Sequence, residues 1–128
     1  MELDHWCIMV RPAQPVLGAL VLACKQPVTA FSDIDEDGFR ELQIATKTIE
    51  TMLKAAVDYE KINYLMLMMV DPHVHFHVLP RYSGTRAWQG IQMDDDGWPG
   101  QPDLGKAVKL TSDQQTDMVA FLRSHSST

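Results

Sequence analysis

Three histidines sit at alternate positions in the run Asp71-Pro72-His73-Val74-His75-Phe76-His77-Val78-Leu79-Pro80-Arg81. Alternate side chains of a strand point to opposite faces. A strand here puts His73, His75 and His77 on one face, with successive α-carbons about 6.5–7 Å apart. Val74, Phe76 and Val78 then share the other face. Imidazole titrates near neutral pH and can serve as nucleophile, proton donor or cation. An imidazole that attacks phosphorus needs one bare nitrogen, with the other held as a donor by a carbonyl or similar acceptor. Its neighbours on the same face can donate to phosphoryl oxygens where charge develops. Two other readings compete. A His-x-His pair on a strand can ligate zinc, usually with a third ligand from elsewhere, but three imidazoles on one straight strand rarely converge on one ion. Three unrelated half-buried histidines are the remaining reading, and their strict alternation weighs against it.

The apolar face of such a strand needs something to pack on. Phe39, Leu42, Ala45, Ile49, Met52, Leu53, Ala56 and Val57 recur at helical spacing, and no Gly or Pro interrupts residues 39–58. Ser32-Asp33-Ile34-Asp35-Glu36 precedes them as a helix start, with Asp33 and Glu36 at capping-box spacing. Residues 5–10 and 17–24 read as strands, closed by Arg11-Pro12 and Lys25-Gln26-Pro27. Residues 62–70 read as a strand ended by Asp71-Pro72, antiparallel to a strand over 73–79 that stops at Pro80. Residues 83–106 read as loop, and Asp94-Asp95-Asp96 within them as solvated acids, with cation binding as the alternative. Ser112 or Asp113 caps a last helix over 112–124, with Met118, Phe121 and Leu122 as its apolar stripe. Strands, a long helix, more strands and a terminal helix predict an α+β domain with a mainly antiparallel sheet.

Composition narrows the classes further. A chain of 128 residues fits one domain. A net charge of −6 argues against a broad nucleic-acid surface. The apolar runs around 16–24 and 64–70 fall short of the roughly 20 residues a membrane span needs. Met1-Glu2-Leu3-Asp4-His5 lacks the basic start of a secretion signal, so the expectation is a cytoplasmic protein with Cys7 and Cys24 as reduced thiols. Residues 72–93 hold three histidines, Arg81 and Arg86, and no acid. An acidic protein can thus still offer a locally positive pocket.

His-Val-His-Phe-His-Val-Leu-Pro-Arg over 73–81 resembles the signature of the histidine triad (HIT) family. Gly18-Ala19-Leu20-Val21-Leu22, Lys25-Gln26-Pro27-Val28 and Phe31-Ser32-Asp33-Ile34 look like that family's strand, turn and helix entry, so the likeness covers roughly residues 5–82. The resemblance implies an α+β fold with an antiparallel sheet of about five strands, one long helix and a C-terminal helix, usually as a homodimer. It implies a nucleotide hydrolase or transferase acting at an α-phosphate, on diadenosine polyphosphates or nucleoside phosphoramidates. His75 takes the nucleophile's place and forms a covalent nucleotidyl-histidine, with His73 and His77 holding the phosphate. No metal is held by the protein, and Mg²⁺ accompanies the substrate at most. A nucleotide-binding module without turnover is the alternative from another class.

The chain also departs from that pattern. Many members carry a further histidine near the start of the second strand, where Ala19 stands here, with His5 as a conceivable spatial replacement. Many have a polar phosphate-holding stretch before the triad, where this chain has Met68-Met69-Val70. The Pro72-His73 form is similar to the nucleotidyltransferase branch. Arg11, Asn63 and Arg81 are the candidate substrate contacts, with Arg86 as a further source of positive charge. Trp6, Trp88 and Trp98 could stack on a base but read first as packing residues.

Overall fold

The computed structural model describes residues 1–126. Its centre is an antiparallel four-stranded sheet in the order β1-β3-β5-β4, formed by β1 (Trp6–Val10), β3 (Leu20–Cys24), β5 (His75–Arg81) and β4 (Lys61–Leu65). The expected sheet of about five strands is therefore one of four. Two small ribbons accompany it: β2 (Ala13–Gln14) pairs with β8 (Val108–Lys109), and β6 (Thr85–Trp88) pairs with β7 (Ile91–Asp94).

Residues paired directly across strands share a face. Pairing of Trp6 with Cys24, Ile8 with Leu22 and Leu20 with Val78 gathers the apolar side chains on one face. Against it lies α1 (Glu36–Val57), which buries Ala45, Ile49, Met52, Leu53 and Val57. The Trp6 indole N–H donates to the Gly38 carbonyl at 2.7 Å, and Glu41 accepts from the His5 and Trp6 backbone N–H groups. These bonds pin the first strand to the first turns of α1. The close packing continues at Gly18, whose φ is +91° and where a Cβ would lie 2.9 Å from Val57. A side chain there would need both a left-handed backbone and extra room.

Several local expectations shift. The cap of α1 is Asp35, whose carboxylate accepts from the Gly38 N–H at 2.8 Å; Asp33 sits in the preceding 3₁₀ turn. Helix α2 (Ser112–Arg123) is capped one residue earlier than expected, by Thr111 in a reciprocal capping box with Gln114. Strand β4 ends at Leu65, and residues 66–70 belong to the connection to β5. Strand β5 continues through Pro80 to Arg81. Proline is tolerated there because β3 pairs only with residues 75–78, so no ladder bond is missing beyond them. The expected loop over 83–106 holds the β6–β7 hairpin, turned by Gln89 and Gly90, both at positive φ.

The hairpin is tied down by a charge pair. The Arg81 guanidinium donates to Asp95 through Nε at 2.6 Å and Nη2 at 3.0 Å, and through Nη1 to Asn63 at 2.8 Å. Both charges are almost wholly out of solvent. Asp95 is therefore a structural partner rather than a solvated acid. Truncating one member leaves the other buried and uncompensated, a loss of about 3–5 kcal/mol. Urea unfolding of Asp95→Ala should show a loss of that size, and Arg81→Met with Asp95→Leu should be more stable than either single variant.

Candidate active site

The triad stands on the face of the sheet opposite α1. Pairing sets His75 beside Ala23, and Ala23 beside Cys7; it sets His77 between Val21 and Leu65. All three histidines are half-buried. His73 precedes the start of β5, yet the extended path begins there: Cys24 N–H donates to the Val74 carbonyl, and Val74 N–H to the Val28 carbonyl, each at 3.0 Å. The alternation read from the sequence thus survives, with Val74 and Val78 buried on the helix side.

Two backbone carbonyls set the ring protons. His73 Nε2–H donates to the Cys24 carbonyl, and His75 Nδ1–H donates to the His73 carbonyl at 2.6 Å. A carbonyl can only accept, so the bonded nitrogen in each pair carries the proton. In the neutral ring the second bond makes Nε2 the His75 nitrogen with the free lone pair. The His77 ring stands edge-on to that of His75, 5.2 Å between centroids at 83°. His77 Nδ1 is buried without a hydrogen-bond partner.

Arg11 completes this face. It follows β1 and pairs with Ala19 through its N–H, which donates to the Ala19 carbonyl at 3.0 Å. Its Nη1 is also buried without a partner, and burial draws the guanidinium pKa down. Burial, the Arg11 charge and the neighbouring His75 together hold the His77 pKa below its ordinary value. Buried Gln14 keeps the turn in shape. Its amide donates to the Arg11 and Ala19 carbonyls and accepts from the Gly18 and Ala19 N–H groups.

The other candidates lie elsewhere. Arg81 donates to both Asn63 and Asp95, a structural role that the sequence reading gave to neither Arg81 nor Asn63. Arg86 caps the end of α1, donating to the Val57 and Asp58 carbonyls, and stacks over Tyr82. His5 is not beside Ala19. It pairs with Lys25 at the far end of β1, six residues and about 20 Å from Arg11. Trp6 is in the core, Trp88 packs near Phe121, and Trp98 lies under Lys61. Cys7 and Cys24 are free thiols on opposite faces of the sheet.

The feature missed in the sequence is a cleft of about 390 Å³ beside the triad, lined by Leu67, Met68, Met69, Val70, Asp71, His75 and His77. The run over 62–70 looked like strand because it is uniformly apolar. Its nine residues exceed the common strand length of five or six, which was the available signal. Among the described residues, no three His, Cys, Asp or Glu side chains converge as a metal site.

An antiparallel sheet backed by a long helix, presenting three imidazoles with one ring nitrogen free, defines an α+β protein of the histidine-triad class. The HIT domain model matches residues 4–84, and the chain belongs to the HIT family. Solved structures share the fold. A histidine triad protein from Bradyrhizobium japonicum superposes with a TM-score of 0.71 at 19% identity, over 98% of this chain and 87% of that one. One from Sinorhizobium meliloti gives 0.67 at 23%, over 84% and 73%. A hypothetical histidine triad nucleotide-binding protein from Sulfolobus tokodaii gives 0.67 at 18%, over 98% and 80%. No curated protein matches the chain by sequence. Among the described residues, no helix is long and apolar enough to cross a membrane.

The depressed His77 pKa has a consequence for stability. The unfolded imidazole titrates near 6.5. Between its folded pKa and 6.5 the unfolded chain binds more protons, so this contribution is complete above about 6.5 and is lost as pH falls through the folded value. Denaturant midpoints measured from pH 7.5 to 5 should fall on acidification, and His77→Gln should flatten that slope.

Proposed function

We propose that the protein is a nucleotide-phosphate hydrolase in which His75 Nε2 attacks an α-phosphate and carries the nucleotidyl group as a covalent intermediate. The observation that supports this most directly is the His75 Nδ1–H bond to the His73 carbonyl, because it selects the tautomer of the neutral ring in which Nε2 is the bare nitrogen. Two polar atoms near the nucleophile lack partners, Arg11 Nη1 and His77 Nδ1. Phosphoryl oxygens would give the guanidinium an acceptor, and Arg11 is the cation this reading assigns to them. Ala19 brings no histidine to that position, so Arg11 stands in for it by charge rather than by a ring.

The reaction divides into two displacements. The lone pair of His75 Nε2 forms a bond to phosphorus as the leaving group departs. Water then attacks the same phosphorus and the nitrogen–phosphorus bond breaks, returning neutral imidazole and a nucleoside monophosphate. Donation to the His73 carbonyl stabilises the imidazolium-like charge that builds on His75 in between. Any Mg²⁺ arrives with the substrate's phosphates. Transfer to an acceptor other than water is the second reading, favoured by Pro72 before His73. The family resemblance also carries a homodimer, which sedimentation checks; β4 is an outer strand of the sheet and can accept another.

The test is turnover of adenosine and guanosine polyphosphates, phosphoramidates and acyl phosphates, with intact mass followed in parallel. His75→Ala should lose turnover by roughly 10⁴-fold or more and should form no adduct of nucleotidyl mass. Arg11→Met should lower kcat/KM by about 10²–10³-fold, with partial recovery in Arg11→Lys. Stoichiometric zinc in the purified protein, or full activity of His75→Ala, would refute the mechanism.

A further inference from the structure

The Arg11 guanidinium makes no ion pair with any described residue, and its Nη1 is buried without a hydrogen-bond partner. Its charge nonetheless acts on His77. No charged neighbour fixes this long side chain, so where it stands depends on the backbone that carries it. A group that must meet a substrate atom is only as well placed as the shell that supports it.

That backbone is held at both peptide groups. The Arg11 N–H donates to the Ala19 carbonyl at 3.0 Å, and the Arg11 carbonyl accepts from Gln14 Nε2 at 2.6 Å. The same Nε2 donates to the Ala19 carbonyl at 2.8 Å. Gln14 Oε1 accepts from the Gly18 and Ala19 N–H groups at 2.8 and 3.1 Å. Two donors and two lone pairs are the whole capacity of an amide. Its orientation is therefore fixed, because carbonyls only accept and peptide N–H groups only donate. Gln14 is 1% exposed, so bulk water cannot stand in for a lost partner. Its own backbone is anchored from far along the chain. Gln14 pairs with Val108 of β8, and the Leu110 N–H donates to the Pro12 carbonyl at 2.8 Å.

Resting on the hydrolase reading above, in which Arg11 meets the phosphoryl oxygens, we propose that Gln14 is a positioning residue for the reaction. Its amide ties the Arg11 carbonyl to the start of β3 and so aims the guanidinium at the phosphate. All four of its bonds go to the chain's own backbone, so it does not itself touch the substrate. Without the amide the Arg11 carbonyl loses its partner, the turn opens where Arg11 leaves β1, and the guanidinium stands off the phosphate. The effect on the reaction passes wholly through Arg11.

A double-mutant cycle tests this. Gln14→Leu, Arg11→Met and the double variant are compared for kcat/KM on adenosine phosphoramidate, and for binding of AMP and of adenosine by calorimetry. Gln14→Leu should lower kcat/KM at least tenfold. It should weaken AMP by a similar factor while adenosine binding changes by less than about twofold. In the Arg11→Met background the same change should alter kcat/KM by less than about twofold, although it lowers the urea midpoint equally in both backgrounds. A merely structural role would weaken AMP and adenosine alike, and its losses would multiply with those of Arg11→Met. Either result overturns the proposal, as does an Arg11→Met chain that binds AMP as tightly as the natural one. If Gln14→Leu does not fold, the cycle is read on Gln14→Asn, which keeps an amide but sets it back by one methylene. If the natural chain binds AMP but turns over no phosphoramidate, the hydrolase reading fails, and the ratio of AMP to adenosine affinity alone decides the role of Gln14. A natural chain that binds no AMP overturns both.

Discussion

The hydrogen bond from His75 Nδ1 to the His73 carbonyl is the interaction on which the proposed chemistry depends. It fixes the tautomer, and with it which nitrogen faces the open side of the sheet. The bond works only if the His73 carbonyl is itself held, and that is the task of β3. The Cys24 carbonyl takes the His73 ring, while the Cys24 N–H takes the Val74 carbonyl. β3 in turn is central, with β1 on one side and β5 on the other. The histidine face is thus positioned by backbone groups, which do not have rotamers to lose.

The apolar side of the same strands explains why this arrangement is rigid. A register slip of one residue would exchange the imidazoles for Val74, Phe76 and Val78. Val74 and Val78 are fully buried, and Leu20, Leu22 and Trp6 beside them pack toward α1. Moving them into water would expose several large side chains, each worth about 1.5–3 kcal/mol. The core therefore determines the direction in which the histidines point.

Charge is handled locally rather than globally. The chain carries −6 overall, yet Arg11 is set against His77 while Asp95 is neutralised by Arg81 away from the triad. Asp71 remains at the cleft, next to an apolar wall. One side of the triad is thus cationic, and the other is apolar with Asp71 at its edge.

Much of this was legible in the residues because it is local. The alternation over 73–78 and the 3.6-residue spacing over 39–57 follow from strand and helix geometry, and each needs only its own segment to be read. The roles of Arg81, Asn63, Arg86 and Asp95 were not legible, since partners 14, 18 or 29 positions apart are chosen by folding and not by spacing. The same holds for residues 66–70, whose apolar run fits a strand equally well until β4 ends at Leu65 and leaves them without a ladder partner. Sequence alone determined the kind of chemistry, three imidazoles on one strand face, because side-chain direction in a strand has a period of two. Only the tertiary structure decided which ring nitrogen is bare, which arginine is free for an anion and what surrounds the cleft, because those depend on backbone acceptors and charges contributed by distant strands.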